Sequence, residues 1–358
     1  MIKKSYLINE YTPIQKAAFP AIDAHNHIFD NWQAERVVST MDETGIVSYC
    51  NLTSNILVEF AEGGYVIYPG NISDFFTHCV EKYPKRFYGF TMADFAHPVN
   101  EPLFENAGIF VEKCIQTIRE HVAAGAKGLK ILKEFGLCYR DSKGELINAD
   151  DIRLAPIWEE AANLNIPVLI HQADPSGFFE PLTPENEHFD SLTKYPSWNF
   201  ADPKFPRKND LIRRRDILIK RHRNTTFILP HVANYAENLK YVSTLLDENP
   251  NVYMDFSARL DELGRQPYSS RELFIKHQDR ILFGTDMPAN MDSSIDMYRC
   301  YFRFLETFDE AFYPPDYDGT FSRARWPICG IGLPAEVLEK IYNKNIIKII
   351  PSLKECLK

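Results

Sequence analysis

Two histidines one residue apart, His25 and His27 in Ile22-Asp23-Ala24-His25-Asn26-His27-Ile28, are the first sign of chemistry in this 358-residue chain. Along a strand, side chains alternate between faces, so His25 and His27 point the same way. That spacing suits two imidazole nitrogens on one cation. It equally suits a pair of hydrogen-bonded strand histidines, and His-x-His alone does not decide. Three further residues do more. His171 ends Ile166-Pro167-Val168-Leu169-Ile170-His171, and His231 ends Thr226-Phe227-Ile228-Leu229-Pro230-His231. Asp286 ends Arg280-Ile281-Leu282-Phe283-Gly284-Thr285-Asp286. Each is a ligand-type residue closing an apolar run that reads as a buried strand, and a shared centre explains all of them together.

Imidazole and carboxylate together suit zinc, with manganese, iron or cobalt as other occupants. The expected centre is one divalent ion held by His25, His27, His171 and Asp286, with a water or substrate oxygen in the open position. Such an ion brings the pKa of its water towards neutrality and polarises the group under attack. Asp286 is then also a catalytic residue, accepting the water's proton. His231 is the second catalytic candidate, placed behind the ligands or against the substrate, where it stabilises an oxyanion or carries a proton.

Residues this far apart in sequence need a scaffold that gathers strand ends. Apolar runs near residues 22, 47–52, 86–92, 126–132, 166–171, 226–231, 252–256 and 280–286 alternate with helical patterns. Those helices are expected at 32–43, 71–83, 110–123, 155–164, 211–222, 235–247 and 262–277. The alternation implies an α/β fold, a distorted (β/α)8 TIM barrel with its site at the C-terminal strand ends. A doubly wound open sheet is the alternative. It gathers ligands near one crevice, whereas these come from strands one, five, six and eight, and only closure brings one and eight together. Residues 1–20 read as a polar lead-in and 21–358 as a single barrel domain.

Long insertions at 172–210 and 309–333 interrupt the pattern. The first carries Phe178, Phe179, Phe189, Trp198, Phe200 and Phe205. It reads as a lid or binding element whose Phe178 and Trp198 wall a pocket, or as a packed subdomain held down by its aromatics. The second, with Tyr313, Tyr317, Phe321 and Trp326, reads as a structural cap or a homodimer surface. Lys130, at the end of the fourth strand, is expected to meet a substrate carboxylate. Its alternatives are a rim lysine paired with Asp94 or Glu134, or a modified lysine bridging two metals. Arg259 is a second carboxylate clamp or a solvated rim residue. Lys208, Arg213, Arg214 and Arg215 open a helix and read as a solvated face.

The net charge of −9 argues against a broad nucleic-acid surface. No apolar run has the length of a membrane span, and Asn9-Glu10 cut off any signal-peptide core. Seven scattered cysteines suggest reduced thiols. These features lead us to expect a soluble, cytoplasmic protein acting on a small molecule, with no membrane or nucleic-acid partner. No Gly-rich nucleotide motif sits between a strand and a helix.

The chain resembles the amidohydrolase superfamily, and within it the branch containing aminocarboxymuconate semialdehyde decarboxylase and related lactonases and aryl-acid decarboxylases. The resemblance lies in Ile22-Asp23-Ala24-His25-Asn26-His27, in His171 and His231 at their strand ends, and in Phe283-Gly284-Thr285-Asp286-Met287-Pro288. Pro250-Asn251-Val252-Tyr253-Met254-Asp255-Phe256-Ser257 and Leu338-Glu339-Lys340-Ile341-Tyr342-Asn343-Lys344-Asn345 extend it across residues 20 to 350. It implies a single divalent metal on the residues matching His25, His27, His171 and Asp286, and a catalytic histidine at His231. The long aromatic segment after His171 departs from the branch. Two reactions are implied: hydrolysis of a lactone, ester or amide in a carboxylated or hydroxylated compound, and non-redox decarboxylation. A catalytically idle homologue is the reading from another class, and the complete ligand set weighs against it.

Overall fold

The computed structural model describes residues 6–9, 11–29, 32–61, 64–315 and 326–358. Its strands are β1 (Ala21–Asp23), β2 (Ile46–Asn51), β3 (Ile56–Ala61), β4 (Gly64–Pro69), β5 (Phe87–Gly89), β6 (Leu129–Ile131), β7 (Val168–Ile170), β8 (Phe227–Leu229), β9 (Val252–Asp255) and β10 (Ile281–Leu282). All but β3 and β4 pair in parallel, as β1-β2-β5 and as β6 through β10. A parallel bridge between Thr91 and Leu129 joins the two groups. The Ala24 N–H donates to the Phe283 carbonyl (2.9 Å) and the Asp286 N–H to the His25 carbonyl (2.8 Å), which closes the ring. The wall is therefore a closed, distorted (β/α)8 barrel, and the open-sheet alternative is excluded.

Alternation along each strand builds two cores. On β7, Val168 and Ile170 face the outer helices while Leu169 faces inward; on β8, Phe227 and Leu229 face out and Ile228 in. The inner set adds Ile22, Cys50, Tyr88, Tyr253 and Leu282. Ile346, Ile350 and Leu353 of the C-terminal helical segments pack against it. Burying each such aliphatic side chain contributes about 1.5–3 kcal/mol.

The helices follow their apolar stripes. Ala34–Thr44 buries Val37, Met41 and Thr44 and stops at Gly45, whose φ of 81° lies in the left-handed region that glycine adopts at low cost. Ala107–Ala124 is capped by Asn106, whose side chain accepts from the Gly108 and Ile109 N–H groups, and buries Phe110, Val111, Cys114 and Ile118. No helix among the described residues is long and apolar enough to cross a membrane.

Three features differ from the sequence expectation. The antiparallel hairpin β3–β4 stands where no element was expected, although alternating apolar runs flanking Gly63-Gly64 carry a hairpin signal. The helix Ser294–Glu306, buried through Met297, Tyr298, Tyr301, Phe302 and Leu305, was likewise not anticipated. The last barrel strand is short, Ile281–Leu282, and Asp286 lies beyond it with φ 55°.

The first insertion is not structureless. It contains the turns Ser176–Phe179 and Pro196–Trp198 and the helix Phe189–Lys194. Phe179, Leu192 and Phe200 pack against Leu137, Leu211 and Ile212 beneath it. In the second, Tyr317 and Phe321 lie outside the described residues. Trp326 donates its indole N–H to the Asp261 carbonyl (2.9 Å) and lies under the Arg265 guanidinium. Among the described residues, none of 309–333 lines the main cavity.

Candidate metal centre

The chain leaving β1 meets the chain leaving β10 where Gly284 passes His25. A Cβ on Gly284 would lie 2.8 Å from the His25 Cβ, so only glycine permits this approach. Asp23 fastens the junction: its carboxylate accepts from Asn26 Nδ2 (2.6 Å), Thr285 Oγ1 (2.7 Å) and Tyr298 OH (2.7 Å). Burial pushes Asp23 up to about 6 against those hydrogen bonds. Asn26, between the two histidines, thus serves the barrel seam.

His25, His231 and Asp286 each bring a ligand atom within 4.8 Å of the others, a group able to hold one divalent cation. His25 Nε2 is 3.7 Å and His27 Nε2 3.4 Å from Asp286 Oδ1, and His231 Nε2 is 3.9 Å from Asp286 Oδ2. The opposite ring nitrogens fix the tautomers. His25 Nδ1 donates to Asp255 Oδ2 (2.8 Å), His27 Nδ1 to Thr53 Oγ1 (3.0 Å) and His231 Nδ1 to the Ser257 carbonyl (2.8 Å). In neutral rings this leaves all three Nε2 lone pairs facing Asp286. Burial lowers His27 to about 4 and His231 well below the usual imidazole value, so both are neutral near pH 7. Burial favours a protonated Asp286, but the imidazoles of His25, His27 and His231 around it outweigh burial and hold the carboxyl well below its usual value. Neutral imidazoles around an ionised carboxylate are the donor set a divalent cation requires.

His171 sits at the same mouth, its ring centroid 4.4 Å from that of His231, but its Nε2 addresses Asp174 Oδ1 at 3.2 Å. Asp174 also accepts from Lys133 Nζ (2.7 Å) and lies 3.8 Å from Arg259 Nη2. Those two cations can satisfy the carboxylate if His171 turns away. Burial lowers His171 to about 4.

Strained backbone presents two of these groups. His231, Val232, Ala233 and Asn234 all have φ between 52° and 59°, and Asp286 has φ 55°. Left-handed conformation costs roughly 1–2 kcal/mol per non-glycine residue. Compensation comes from Arg215, which is fully buried and donates to the Ala233 carbonyl, to Asp216 (2.9 Å) and to Tyr241 (2.8 Å). The solvated-face reading of the basic run is therefore corrected. Arg215 and Lys208 are buried, Lys208 pairing with Glu237 at 3.0 Å, while Arg213 is exposed. The helix that carries them, Lys208–Arg221, packs one face on the barrel, and its buried cations meet acceptors there.

The centre opens into a cavity of about 610 Å³, and His25, His27, His171, His231, Asp286, Lys130, Arg259, Trp198 and Phe178 all line it. Arg259 is buried and held near Asp174, which removes the solvated-rim alternative. Lys130 has neither expected partner: Asp94 pairs with Lys113 (2.6 Å) and Glu134 accepts from Tyr65 OH (3.0 Å). Phe178 and Trp198 stack at 5.9 Å, and Trp198 stacks on Tyr195 at 4.3 Å. A further wall is β3–β4, through Ile56, Val58, Phe60, Tyr65 and Ile67. Sequence reasoning missed that wall, and it also missed Asp174, Thr53 and Ser257. Asp174 stands three residues after His171, the one local signal for it; Thr53 and Ser257 are distant in sequence from the histidines they orient.

The amidohydrolase family model matches residues 22–351. No curated protein matches the chain. Among solved structures, the fold is similar to 2,6-dihydroxybenzoate decarboxylase from Rhizobium (TM-score 0.56, 16% identity, 93% of this chain and 99% of that one). It is similar also to a dihydroxybenzoic acid decarboxylase from Polaromonas sp. JS666 with bound manganese and 2-nitroresorcinol (TM-score 0.54, 16% identity, 93% and 97% covered). A TIM-barrel protein from Bordetella bronchiseptica aligns with TM-score 0.52 at 13% identity over 93% of this chain and 99% of that one. With a family model spanning nearly the whole barrel and its strand-end histidines, this chain belongs to the amidohydrolase family.

Proposed function

We propose that this protein is a metal-dependent hydrolase of a small carboxylated or hydroxylated compound, cleaving a lactone, ester or amide bond. The observation that carries the reading is the convergence of three Nε2 lone pairs on an ionised Asp286 at the floor of a largely apolar chamber. His25, His27 and Asp286 are the proposed ligands, with His171 joining once its Nε2 leaves Asp174. Zinc is the first expectation and manganese, iron or cobalt the others, since all accept these donors. A divalent cation there supplies Lewis-acid activation of water and of the group attacked.

The chain's own residues do the rest. The Asp286 carboxylate accepts the proton of the attacking water. His231, held by Ser257 through Nδ1, directs Nε2 into the chamber. There it takes up a proton and passes it to the leaving group, or steadies the developing oxyanion. Phe178 and Trp198 hold the apolar part of the substrate and exclude water, while Lys130 and Arg259 are the candidate partners of its anionic part.

Decarboxylation of an unsaturated or aromatic acid is the second reading, favoured by the decarboxylases among the structural neighbours. There His231 or Asp286 protonates the carbon that loses carbon dioxide. The test is a screen of metal-replete protein against lactones, N-acyl compounds and aromatic or unsaturated acids, with products weighed by mass spectrometry. Water uptake with carbon count unchanged supports hydrolysis. Loss of carbon dioxide without water uptake overturns it in favour of the lyase.

A further inference from the structure

Among the described residues, four cations line the chamber: Lys130, Lys133, Lys194 and Arg259. Lys133 is engaged by Asp174 at 2.7 Å. Arg259 donates Nη1 to the Ala258 carbonyl (2.6 Å) and keeps Nη2 within 3.8 Å of Asp174. Lys194 is exposed, with Nζ 5.3 Å from the Tyr195 ring centroid. Lys130 differs from all three. Its side chain is fully buried, and among the described residues Nζ has no hydrogen-bond partner.

An ammonium group has three donors and no acceptor, and leaving them unmet in a dry site is costly. None of the acids that attract Lys130 reaches its Nζ with a hydrogen bond. Asp255 accepts from His25 and Ser257, Asp286 faces the imidazoles, and Glu134 accepts from Tyr65 through Oε1, while its buried Oε2 lies beyond hydrogen-bond reach of Lys130 Nζ and of any other donor among the described residues. Burial lowers Lys130 to about 8, so it remains mostly protonated at neutral pH. The same chamber is lined by apolar side chains, Ile56, Val58, Phe60 and Ile67 of hairpin β3–β4 and Phe178 and Trp198 of the insertion.

We propose that Lys130 is the anion selector of this chamber, its ammonium receiving a carboxylate oxygen of a ligand whose apolar body lies between hairpin β3–β4 and Trp198. This rests on the reading of the cavity as an active site for a small carboxylated substrate, and it singles out Lys130 over Arg259. A carboxylate there fills the unmet donors with charge-assisted hydrogen bonds. A neutral ligand of the same shape leaves them unmet.

The test uses 2-naphthoate and its neutral isostere 2-naphthamide, titrated calorimetrically into the full-length protein after chelation and after reloading with zinc or manganese. Chelated wild-type protein should prefer the carboxylate by at least about tenfold, the scale of one hydrogen bond to a charged group. Lys130→Met should erase that preference by weakening naphthoate alone, whereas Arg259→Met should retain it. A structure of the wild-type complex gives a reading that needs no variant. The carboxylate should lie within about 3.2 Å of Lys130 Nζ. Equal or absent binding of the two probes, a preference that survives Lys130→Met, or a carboxylate seated on Arg259 overturns the proposal. Metal content measured on the same samples separates the two readings. Protein that takes up no divalent cation defeats the proposed function and leaves the Lys130 result standing. Metal-replete protein without the preference defeats only the selector.

Discussion

Asp255 Oδ2 lies 2.8 Å from His25 Nδ1, and the other oxygen of the same carboxylate accepts the backbone N–H of His231 at 3.1 Å. One side chain on β9 therefore orients two residues of the centre from different strands. Ser257 adds to it, donating to Asp255 Oδ1 (2.6 Å) and lying 3.1 Å from His25 Nδ1 and 3.0 Å from His231 Nδ1. Asp255→Asn keeps the shape but removes the charge that favours the Nδ1–H tautomer of His25. Affinity for zinc or manganese should fall about 10- to 100-fold, measured by competition with a chromogenic chelator. Unchanged affinity would show that His25 is oriented by the fold alone.

Arg215 stands behind His231 as Asp255 stands beside it. Its guanidinium holds the Ala233 carbonyl inside a turn whose four residues all sit at positive φ. Arg215→Met removes those donors, leaving the Ala233 carbonyl of the turn without its partner and Asp216 with only the Tyr241 hydroxyl. Stability should drop by about 3 kcal/mol, read from the urea midpoint at constant slope. Metal affinity should weaken in parallel as His231 is released. A variant as stable as wild type would mean that the turn is held by its own hydrogen bonds, such as Asn234 N–H to the Pro230 carbonyl (2.9 Å).

What the sequence made legible follows from what is local. Val168-Leu169-Ile170-His171 and Phe227-Ile228-Leu229-Pro230-His231 announce strands and their ends through short-range pattern alone, and closure followed from where the ligand-type residues fell. The partners that orient those residues are not local. Thr53 reaches His27 across 26 residues, and Asp255 reaches His25 across 230. No periodicity reports such pairs. Arg215 shows a second limit, because a charged run looks solvated until the fold supplies buried acceptors. His171 shows a third: its strand-end position was readable, but its bond to Asp174 depends on how Gln172-Ala173 turns the chain. The hairpin β3–β4 is different, since its alternation and its glycines were there to be read.

That hairpin gives a separable test of the chamber. Phe60 lines the cavity yet is 67% exposed, so it contributes little to the fold. Phe60→Ser should weaken 2-naphthamide by about fivefold, roughly 1 kcal/mol of lost aromatic contact, with the melting temperature unchanged. Trp198→Ala behaves differently because Trp198 is also stacked on Tyr195 and Phe178. It should lower both binding and stability. Loss of stability with full binding in Trp198→Ala would assign the insertion to packing alone.

Lys130 offers a prediction in which function and stability oppose one another. Burial lowers its pKa from 10.5 to about 8, against attraction from Asp286, Asp255, Cys50 and Glu134. The unfolded chain therefore binds this proton more tightly than the native one. Between about pH 8 and 10.5 the unfolded state carries more protons, so stability rises with pH there. Below pH 8 both states are protonated and the native protein bears the full cost, about 3 kcal/mol. Lys130→Met removes the charge while keeping most of the volume. In chelated protein at pH 7 the variant should be more stable than wild type by about that amount, and by pH 10 the gap should shrink to less than about 1 kcal/mol. Urea titrations of both proteins at the two pH values read the difference directly. A gap that stays constant with pH would mean the amine is not desolvated in the native state, and a variant less stable at pH 7 would mean that its charge is already paired.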